Sequence, residues 1–266
     1  MLMRMLACWL LLCLGGSAQA GSVECGDIKL AFHNVGALYY RGPDGAWTGI
    51  DKDVVDELAK RTGCHFQATL ESRVRIWTML AGGKLDMSVS GIPTPEREKF
   101  ARFIPYFAAR NYVLLDQSLP ASATTAEGFL AAQGYKVAVV KSYKHGAGYD
   151  LWLDKLRAQG RVYEAADFPS VVRLLKIGRV QAVLAVPVVW VPVLKQEGLS
   201  ESVRVMDWVP RENIAHGLII SRERIPAATA ERMAKAIESM RNDGTLLMIF
   251  RRHIGDELAS GLLNYQ

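Results

Sequence analysis

One short segment combines residue types that can bind an anion. Residues 94–97 read Thr-Pro-Glu-Arg, in which Thr94 can cap a helix and the proline suits its first position. An arginine in that first turn can bind a carboxylate through two parallel hydrogen bonds, and the helix N-terminus adds backbone donors and a favourable dipole. Arg97 is therefore the first candidate for ligand binding, and Thr94 is a further candidate beside it. The alternative is a surface arginine that pairs with Glu96 or Glu98.

Two further segments carry candidate polar groups. Ser88 and Ser90 end a predicted strand, and because side chains alternate along a strand only one of them can point toward the site; we choose Ser90. Residues 142–146, Ser-Tyr-Lys-His-Gly, lie between a predicted strand and a predicted helix. Ser142, Tyr143 and nearby backbone N–H groups can hold an anion there. Simple helix capping explains the same residues equally well.

Other kinds of chemistry are disfavoured. The histidines, at positions 33, 65, 145, 216 and 253, show no metal-ligand spacing. The sequence contains neither a Gly-x-Ser-x-Gly hydrolase elbow nor a Walker-type phosphate loop. The 32 basic and 27 acidic residues give a formal net charge of +5, with no basic run that would indicate a nucleic-acid groove. The residues predict no metal centre, no cofactor and no nucleic-acid partner.

The first twenty residues have the organisation of a secretion signal. Arg4 is followed by an apolar run and then by Ala18 and Ala20 in Ala-x-Ala spacing. Cleavage of residues 1–20 predicts a periplasmic mature chain that begins at Gly21, with a net charge of +4 because Arg4 is the only charge removed. The apolar run is shorter than the roughly 20 residues of a membrane-spanning helix, which disfavours an anchor.

Cys25 and Cys64 are the cysteines that remain after this cleavage. An even pair in an oxidising compartment predicts a disulfide. Each cysteine comes just before a predicted strand, at residues 27–32 and 65–70, so pairing of those strands would bring the two sulfurs together. Two separate thiols and a metal site are the less favoured alternatives.

The elements that must position these groups alternate along the chain. Strand-like and helix-like segments follow one another in two series, the pattern of an α/β fold with mainly parallel sheets. The first helix, with its N-cap predicted at Asp51, ends at Gly63. The repetition predicts two similar lobes. The other predicted elements are strands at 27–32, 65–70, 86–90, 136–140, 161–165, 180–186 and 217–221 and helices at 73–81, 146–158, 168–177 and 227–241.

Several motifs, taken in order, resemble family 3 of the bacterial extracellular solute-binding proteins. They resemble that family's Gly-x-x-x-Gly-Phe-Asp-x-Asp-Leu helix entry, its Leu-x-x-Gly-Lys-x-Asp and Thr-Pro-Glu-Arg run, its Pro-Tyr crossover, and two segments further on. Their order and spacing cover nearly the whole mature chain, which makes the resemblance specific. The matching segments are residues 44–54, 80–86, 94–97, 105–106, 178–183 and 243–245.

The resemblance implies two α/β lobes joined by two crossover strands, which close over a ligand by a hinge motion. We place the crossings near residues 106–112 and 211–216. Lobe 1 then consists of residues 21–107 and 214–266, and lobe 2 of residues 108–213. The family delivers its ligand to the membrane permease of an ABC-type importer, and we expect a monomer.

The same resemblance matches Arg97 to the arginine that holds the α-carboxylate of amino-acid ligands. Two departures from the family pattern concern the ligand. Residues 91–93, Gly-Ile-Pro, lack the hydroxyl usual in that loop, and the ammonium-binding aspartate of the family falls here on Ala185 or Val186. Because a buried ammonium needs an anion or several acceptors, we expect a small acid other than an ordinary α-amino acid.

Aromatic residues occupy loops that face the ligand in the similar family. These are Tyr39, Tyr40, Trp47 and Trp77. Aromatic rings in such positions commonly sandwich a ligand, and we expect at least one of them to do so. Tyr39 and Trp77 are the candidates, with core or rim packing as the alternative for each.

Carboxylates elsewhere leave two questions open. Asp116 or Asp167 can replace the missing ammonium-binding acid. A periplasmic dehydratase of the cyclohexadienyl type, which is similar to the same family in fold, is the alternative enzyme, and it requires a general acid such as Glu71 or Asp167. A binding protein that hands its ligand to a receptor rather than to a permease is the other alternative.

Overall fold

The computed structural model describes residues 25–263. The predicted signal, residues 1–20, and the predicted mature start, Gly21, lie outside the described residues. Within residues 25–263, no helix is both long enough and apolar enough to cross a membrane.

The described chain alternates strands and helices, as predicted. The strands are β1 (Asp27–Phe32), β2 (Tyr40–Arg41), β3 (Trp47–Thr48), β4 (His65–Leu70), β5 (Met87–Gly91), β6 (Ala101–Ala109), β7 (Tyr112–Asp116), β8 (Val137–Val140), β9 (Val162–Ala165), β10 (Ala182–Ala185), β11 (Val203–Met206) and β12 (Ile214–Ser221). The α-helices are α1 (Ile50–Thr62), α2 (Arg73–Ala81), α3 (Pro95–Glu98), α4 (Ala126–Ala131), α5 (Ala147–Ala158), α6 (Phe168–Lys176), α7 (Pro187–Glu197), α8 (Ala227–Asn242), α9 (Thr245–Ile254) and α10 (Asp256–Leu263).

Two five-stranded sheets organise the fold. The first has the strand order β4-β1-β5-β12-β6 and the second has the order β11-β7-β10-β8-β9. In the first sheet β1 runs parallel to β4 and β5, whereas β12 runs antiparallel to β5 and β6. The second sheet repeats this mixture, with parallel β8 next to β9 and β10 and antiparallel β7 between β10 and β11. The predicted α/β architecture of two lobes is confirmed, with sheets that are mixed rather than mainly parallel.

The chain passes from one sheet to the other twice. Residues 110–111 connect β6 of the first sheet to β7 of the second, and residues 207–213 connect β11 of the second sheet back to β12 of the first. Strands β6 and β12 pair with each other from Ala109 opposite Ile214 to Ala101 opposite Ser221. The two connections therefore leave from the same end of these neighbouring strands. The residue boundaries of the two lobes remain a prediction.

The start of α1 differs from the prediction. Gly49, not Asp51, is the N-cap residue, and Asp51 lies inside the first turn with its side chain fully buried. Gly49 has a positive φ of 135° and sits so close to Leu38 that a Cβ atom would lie 2.3 Å from the Leu38 carbonyl oxygen. Only glycine fits this position, and it frees the Asp51 carboxyl group to point into the protein.

The predicted disulfide is confirmed. Strand β1 pairs in parallel with β4, with Asp27 opposite His65, and this register brings the residues that precede both strands to the same end of the sheet. Cys25 and Cys64 form a disulfide there, with their Cα atoms 5.0 Å apart. The bond ties the beginning of the described chain to the end of α1.

Candidate functional site

A cavity lies between the two sheets, at the carboxyl ends of parallel strands β1, β5, β8 and β10. This is where α/β proteins usually bind ligands. The centre of a water molecule can occupy about 40 Å³ of it, so the cavity suits a small molecule. The first wall, from the first-sheet side, consists of His33, Val35, Leu38, Arg73, Trp77, Ser90, Ile92, Arg97 and His216. The second wall, from the second-sheet side, consists of Ser142, Tyr143, Lys144, His145, Phe168, Leu184, Ala185, Val186 and Val189, and Asn111 lies on the connection between the sheets.

Arg97 reaches this cavity from α3. The Thr94 hydroxyl accepts a hydrogen bond from the Arg97 backbone N–H at 3.3 Å, which is the predicted cap. The guanidinium carbon lies 3.8 Å from the centroid of the Trp77 ring. Its two terminal nitrogens donate to the carbonyl oxygens of Ile92 and Ser142, both at 2.9 Å. Arg97 thus joins the two walls, and the surface pairing with the neighbouring glutamates is not the geometry observed.

Arg73 is a second cation of the cavity, and sequence reasoning missed it. It is the first residue of α2, is 6% exposed, and donates hydrogen bonds to the carbonyl oxygens of Val89 at 3.2 Å and Ser90 at 2.8 Å. Its guanidinium carbon lies 5.6 Å from the Trp77 ring and 5.5 Å from the Tyr143 ring. Burial lowers the pKa of Arg73. Burial and the nearby Arg73 charge lower the pKa of Arg97 to about 9.

A buried carboxyl group lies behind the first wall. The Tyr106 hydroxyl donates to Asp51 at 2.6 Å, and the Ser90 hydroxyl donates to the same carboxyl group at 2.8 Å. Burial raises the pKa of Asp51 to about 7, although both hydrogen bonds and the Arg73 charge oppose the change. Ser90, the predicted serine, lines the cavity with a positive φ of 51°, but its hydroxyl is engaged with Asp51. Ser88 instead donates to the Ala31 carbonyl oxygen of β1 at 2.7 Å.

Three buried histidines also line the cavity, and none was predicted as a site residue. His33 Nε2 lies 2.9 Å from the Tyr143 hydroxyl, and the ring of His216 stacks on Phe107 with centroids 4.7 Å apart. His145 Nδ1 lies 3.6 Å from an Asp150 carboxylate oxygen.

Two of these rings are uncharged at neutral pH. Burial lowers the pKa of His33 well below its ordinary value and that of His216 to about 3. Within the described part of the chain, His33 Nδ1, His216 Nε2 and Trp77 Nε1 are buried and have no hydrogen-bond partner. A neutral imidazole carries one N–H donor and one acceptor nitrogen, so these rings can meet a polar ligand without adding charge.

Some backbone N–H groups of the loop at residues 142–146, which was predicted to hold an anion, already donate hydrogen bonds within the protein. Residues 142–146 do connect β8 to α5, and Ser142 and Tyr143 line the cavity. However, the Tyr143 N–H donates to the Val140 carbonyl oxygen at 3.2 Å, and the His145 N–H donates to the Asp150 carboxylate at 3.1 Å. The backbone of this loop therefore offers fewer free donors than expected.

The rest of the second wall is apolar. Phe168, Leu184, Ala185, Val186 and Val189 are all buried and face the cavity. The positions expected from the family pattern to carry the ammonium-binding acid are thus apolar in the structure. Among the described residues that line the cavity, none is an aspartate or a glutamate.

The candidate substitutes for that acid lie elsewhere. Asp116 accepts hydrogen bonds from Ser118 in a turn, and Asp167 caps α6 by accepting from the Ser170 N–H at 2.8 Å. Neither residue lines the cavity. Both carboxylates are already used to shape the local backbone.

Two predicted ligand-binding residues are not in the cavity lining. Thr94 serves as the cap of α3. Tyr39 is 7% exposed and stacks between Phe32, with centroids 4.3 Å apart, and Trp47, with centroids 4.9 Å apart. The stack places its ring in the core of the first lobe, so of the two predicted aromatic residues only Trp77 reaches the cavity.

The chain belongs to the bacterial extracellular solute-binding proteins, family 3, whose family model matches residues 33–256. The predicted membership is confirmed, and the chain is a solute-binding protein with the amino-acid-binding type of fold. No curated protein sequence matches the chain.

Solved structures share this fold. The chain resembles ArtJ, the arginine-, lysine- and histidine-binding protein from Geobacillus stearothermophilus, with 20% identity and a TM-score of 0.73 over 86% of this chain and 95% of that one. It resembles equally well an ABC uptake transporter substrate-binding protein from Streptococcus pneumoniae with bound histidine, with 18% identity and a TM-score of 0.73 over 88% and 94% of the two chains. A histidine kinase sensor domain similar to periplasmic binding proteins has 14% identity and a TM-score of 0.72, over 86% of this chain and 96% of that one.

Proposed function

We propose that this protein captures a small, carboxylate-bearing ligand between its two lobes in the periplasm and delivers it to the permease of an ABC-type importer. The observation that carries the proposal is the charge of the cavity. Arg73 and Arg97 line it, and among the described lining residues no aspartate or glutamate opposes them. The buried Arg73 and the half-buried Arg97, with no facing carboxylate, attract an anion more strongly than they would in water, because the surrounding dielectric constant is low.

The apolar second wall supports a ligand without an ammonium group. A primary ammonium enclosed against Leu184, Ala185 and Val186 would lose its hydration without gaining an anionic partner. The same wall suits a short hydrocarbon portion of the ligand. Relatives that bind arginine or histidine share the fold, and the chemistry of the cavity points to a different ligand for this chain.

Delivery to a permease is proposed from family membership. Closure of the two lobes over the ligand is proposed from the contacts that join the two walls. The Ala37 N–H donates to the Val188 carbonyl oxygen at 3.0 Å, and Arg97 donates to Ser142. These contacts connect two lobes that are linked by two chain crossings, which is the geometry of a hinge that closes over a ligand. A monomer that carries a cleaved signal and the Cys25–Cys64 disulfide fits this role in an oxidising compartment.

A thermal-shift screen of organic acids, amino acids and amines tests the proposal, because a ligand that binds only the folded state raises the midpoint of unfolding. We expect carboxylates to raise it, and we expect Arg97→Ala to abolish the shift. Arg75→Ala is the matched control, since Arg75 is exposed on the same part of the chain and pairs with Glu71 at 3.0 Å. The proposal fails if amines without a carboxylate give the largest shifts and Arg97→Ala leaves them unchanged.

The alternative functions receive less support. Glu71 and Asp167, the general acids considered for a dehydratase, do not line the cavity. Incubation of concentrated protein with prephenate or arogenate should therefore give no product. The likeness to a kinase sensor domain, at 14% identity, reflects the common fold.

A further inference from the structure

We propose that the cavity selects a dianion, namely a short dicarboxylate, whose two acidic groups are bound by Arg73 and Arg97. This inference rests on the proposed function and makes its ligand class specific. It concerns Arg73 above all, because a monocarboxylate held by Arg97 alone would leave Arg73 buried and unneutralised.

The two guanidinium groups are close together. Both lie against the same ring, with their central carbons 3.8 Å and 5.6 Å from the Trp77 centroid, so they cannot be farther apart than the sum of these two distances. Both guanidinium groups donate to backbone carbonyl oxygens, with Val89 and Ser90 serving Arg73 and Ile92 and Ser142 serving Arg97. Carbonyl dipoles solvate a cation but leave its net charge in place.

The nearest acid compensates this charge incompletely. Asp51 interacts with Arg73 through space, yet its carboxyl group is bonded to Ser90 and Tyr106 and makes no ion pair with Arg73 among the described residues. Its pKa of about 7 means that much of the Asp51 population is uncharged at neutral pH. The Asp51 carboxyl group therefore leaves part of the charge of the two arginines in place. Asp150 and Glu96 also act on Arg97 through space, but neither lines the cavity. A dianion neutralises the remaining charge better than a monoanion.

Nitrogen atoms without a hydrogen-bond partner can donate to the oxygen atoms of a second carboxylate group. A carboxylate offers about four lone-pair sites, and two carboxylates need many donors in a closed site. Besides the two arginines, the buried nitrogens Trp77 Nε1, His33 Nδ1 and His216 Nε2 have no hydrogen-bond partner in the described residues. The indole nitrogen is always a donor, and each neutral imidazole is a donor in one of its tautomers.

The opposite wall argues for a carbon skeleton between the two acidic groups. Phe168, Leu184 and Val189 offer no donor to an inorganic dianion such as sulfate or phosphate. A hydrocarbon chain covers these side chains favourably. The small size of the cavity limits the chain to a few carbons.

Matched ligand pairs test the proposal with the wild-type protein. Titration calorimetry in a buffer free of phosphate and carboxylate would compare succinate with butyrate, and glutarate with pentanoate. We expect each dicarboxylate to bind at least about 100-fold more tightly than the monocarboxylate of equal length, because a second charged hydrogen-bonding group enters a buried site. Equal affinities within a pair overturn the dianion inference and leave the proposed carboxylate function standing.

Two other outcomes are equally decisive. Binding of sulfate or phosphate as tight as that of the best dicarboxylate overturns the requirement for a carbon skeleton. Absence of binding by every carboxylate, together with binding of amines or neutral solutes, overturns the proposed function itself.

Variants of Arg73 separate its role in binding from a role in folding. In Arg73→Met, which keeps the length and removes the charge, both affinities should fall, but that of the dicarboxylate should fall much further, so that the preference within each pair disappears. Arg73→Lys should keep most of the preference for the dicarboxylate. Equal losses for both ligands in Arg73→Met would show a structural role and contradict the inference. If that variant does not fold, the wild-type pairs still decide the question.

Discussion

The two walls of the cavity come from similar lobes but differ in chemistry. The first wall holds two arginines supported from behind by hydrogen bonds to backbone carbonyls and by the Asp51 carboxyl group. The second wall is apolar apart from the loop at residues 142–145, and its one cation, Lys144, is exposed and pairs with Asp150 at 3.6 Å. In the proposed function, one lobe would recognise the charge of the ligand and the other lobe would enclose its apolar part.

The difference between the two walls indicates how proteins with a common fold can bind different ligands. The loops at the strand ends are equivalent in the two lobes, so either lobe can present charged groups without a change of architecture. In this chain the positions expected to carry an acid on the second wall are apolar, and Arg73 accompanies Arg97 on the first. Three variants test how far the difference between the walls determines binding.

The largest effect is expected from an acid placed on the apolar wall. Val186→Asp puts a carboxylate among buried residues that face Arg97 and Arg73, where it competes with the ligand for both cations. We expect the affinity for carboxylates to fall by about 1000-fold, equivalent to ~4 kcal/mol. Binding of α-amino acids, whose ammonium group then has a partner, should increase. Titration calorimetry with carboxylates and with α-amino acids measures both changes in affinity.

The control for this variant is Val186→Asn, which has nearly the same shape as the aspartate variant and no charge. Its affinity for carboxylates should fall by less than about tenfold. If Val186→Asp still binds carboxylates within tenfold of the wild type, Val186 does not form part of the ligand-binding wall.

A smaller effect is expected from the carboxyl group behind the first wall. The pKa of Asp51 is about 4 in the unfolded chain and about 7 in the folded protein, so folding favours its protonated form. Its contribution to stability is complete below pH 4 and is lost as the pH rises to about 7. Relative to Asp51→Asn, the wild type should lose roughly 2–4 kcal/mol of its free energy of unfolding between pH 4 and pH 8.

Urea unfolding of both proteins across this pH range measures the difference. The lowered pKa values of His33 and His216 have the opposite pH dependence, but they are present in both proteins and largely cancel. A constant difference between the two proteins from pH 4 to pH 8 would mean that Asp51 is ionised normally in the folded state.

The smallest effect is expected where the two walls meet. Gly36 has a positive φ of 49°, and a Cβ atom there would lie 2.4 Å from the Val189 Cα atom of the opposite lobe. Gly36→Ala should hinder closure and weaken ligand binding by about tenfold, because a smaller fraction of molecules reaches the binding-competent state. The radius of gyration with saturating ligand, measured by X-ray scattering, should stay larger than that of the wild type.

Gly45→Ala is the matched control for Gly36→Ala. Gly45 also has a positive φ, of 78°, but a Cβ atom there would meet nothing within 4 Å. The Gly45→Ala protein should lose stability through backbone strain and keep its ligand affinity. Equal affinity losses in the two variants would assign the effect to strain rather than to the contact between the lobes.

The sequence by itself determined the local structure of this protein. Strands β1 and β4 and helix α2 have the predicted bounds, because hydrophobic periodicity, caps and glycine stops are local properties. The cysteine pair was predictable for the same reason, since each cysteine precedes a strand of a parallel pair. Arg97 was a candidate because its cap and its family motif lie in one continuous segment.

The tertiary structure alone decided which side chains meet in the cavity. Arg73 begins a helix in the sequence like any other charged residue, and only the packing of α2 on the first sheet buries it against Val89, Ser90 and Tyr143. The expected role of Asp51 as a cap was wrong because Gly49 takes that position and turns the carboxyl group inward. The contacts of Arg73 with Tyr143 and of Asp51 with Ser90 and Tyr106 join distant parts of the chain, so no local pattern records them. The Arg97 motif indicated an acidic ligand, and only the fold places a second cation beside it.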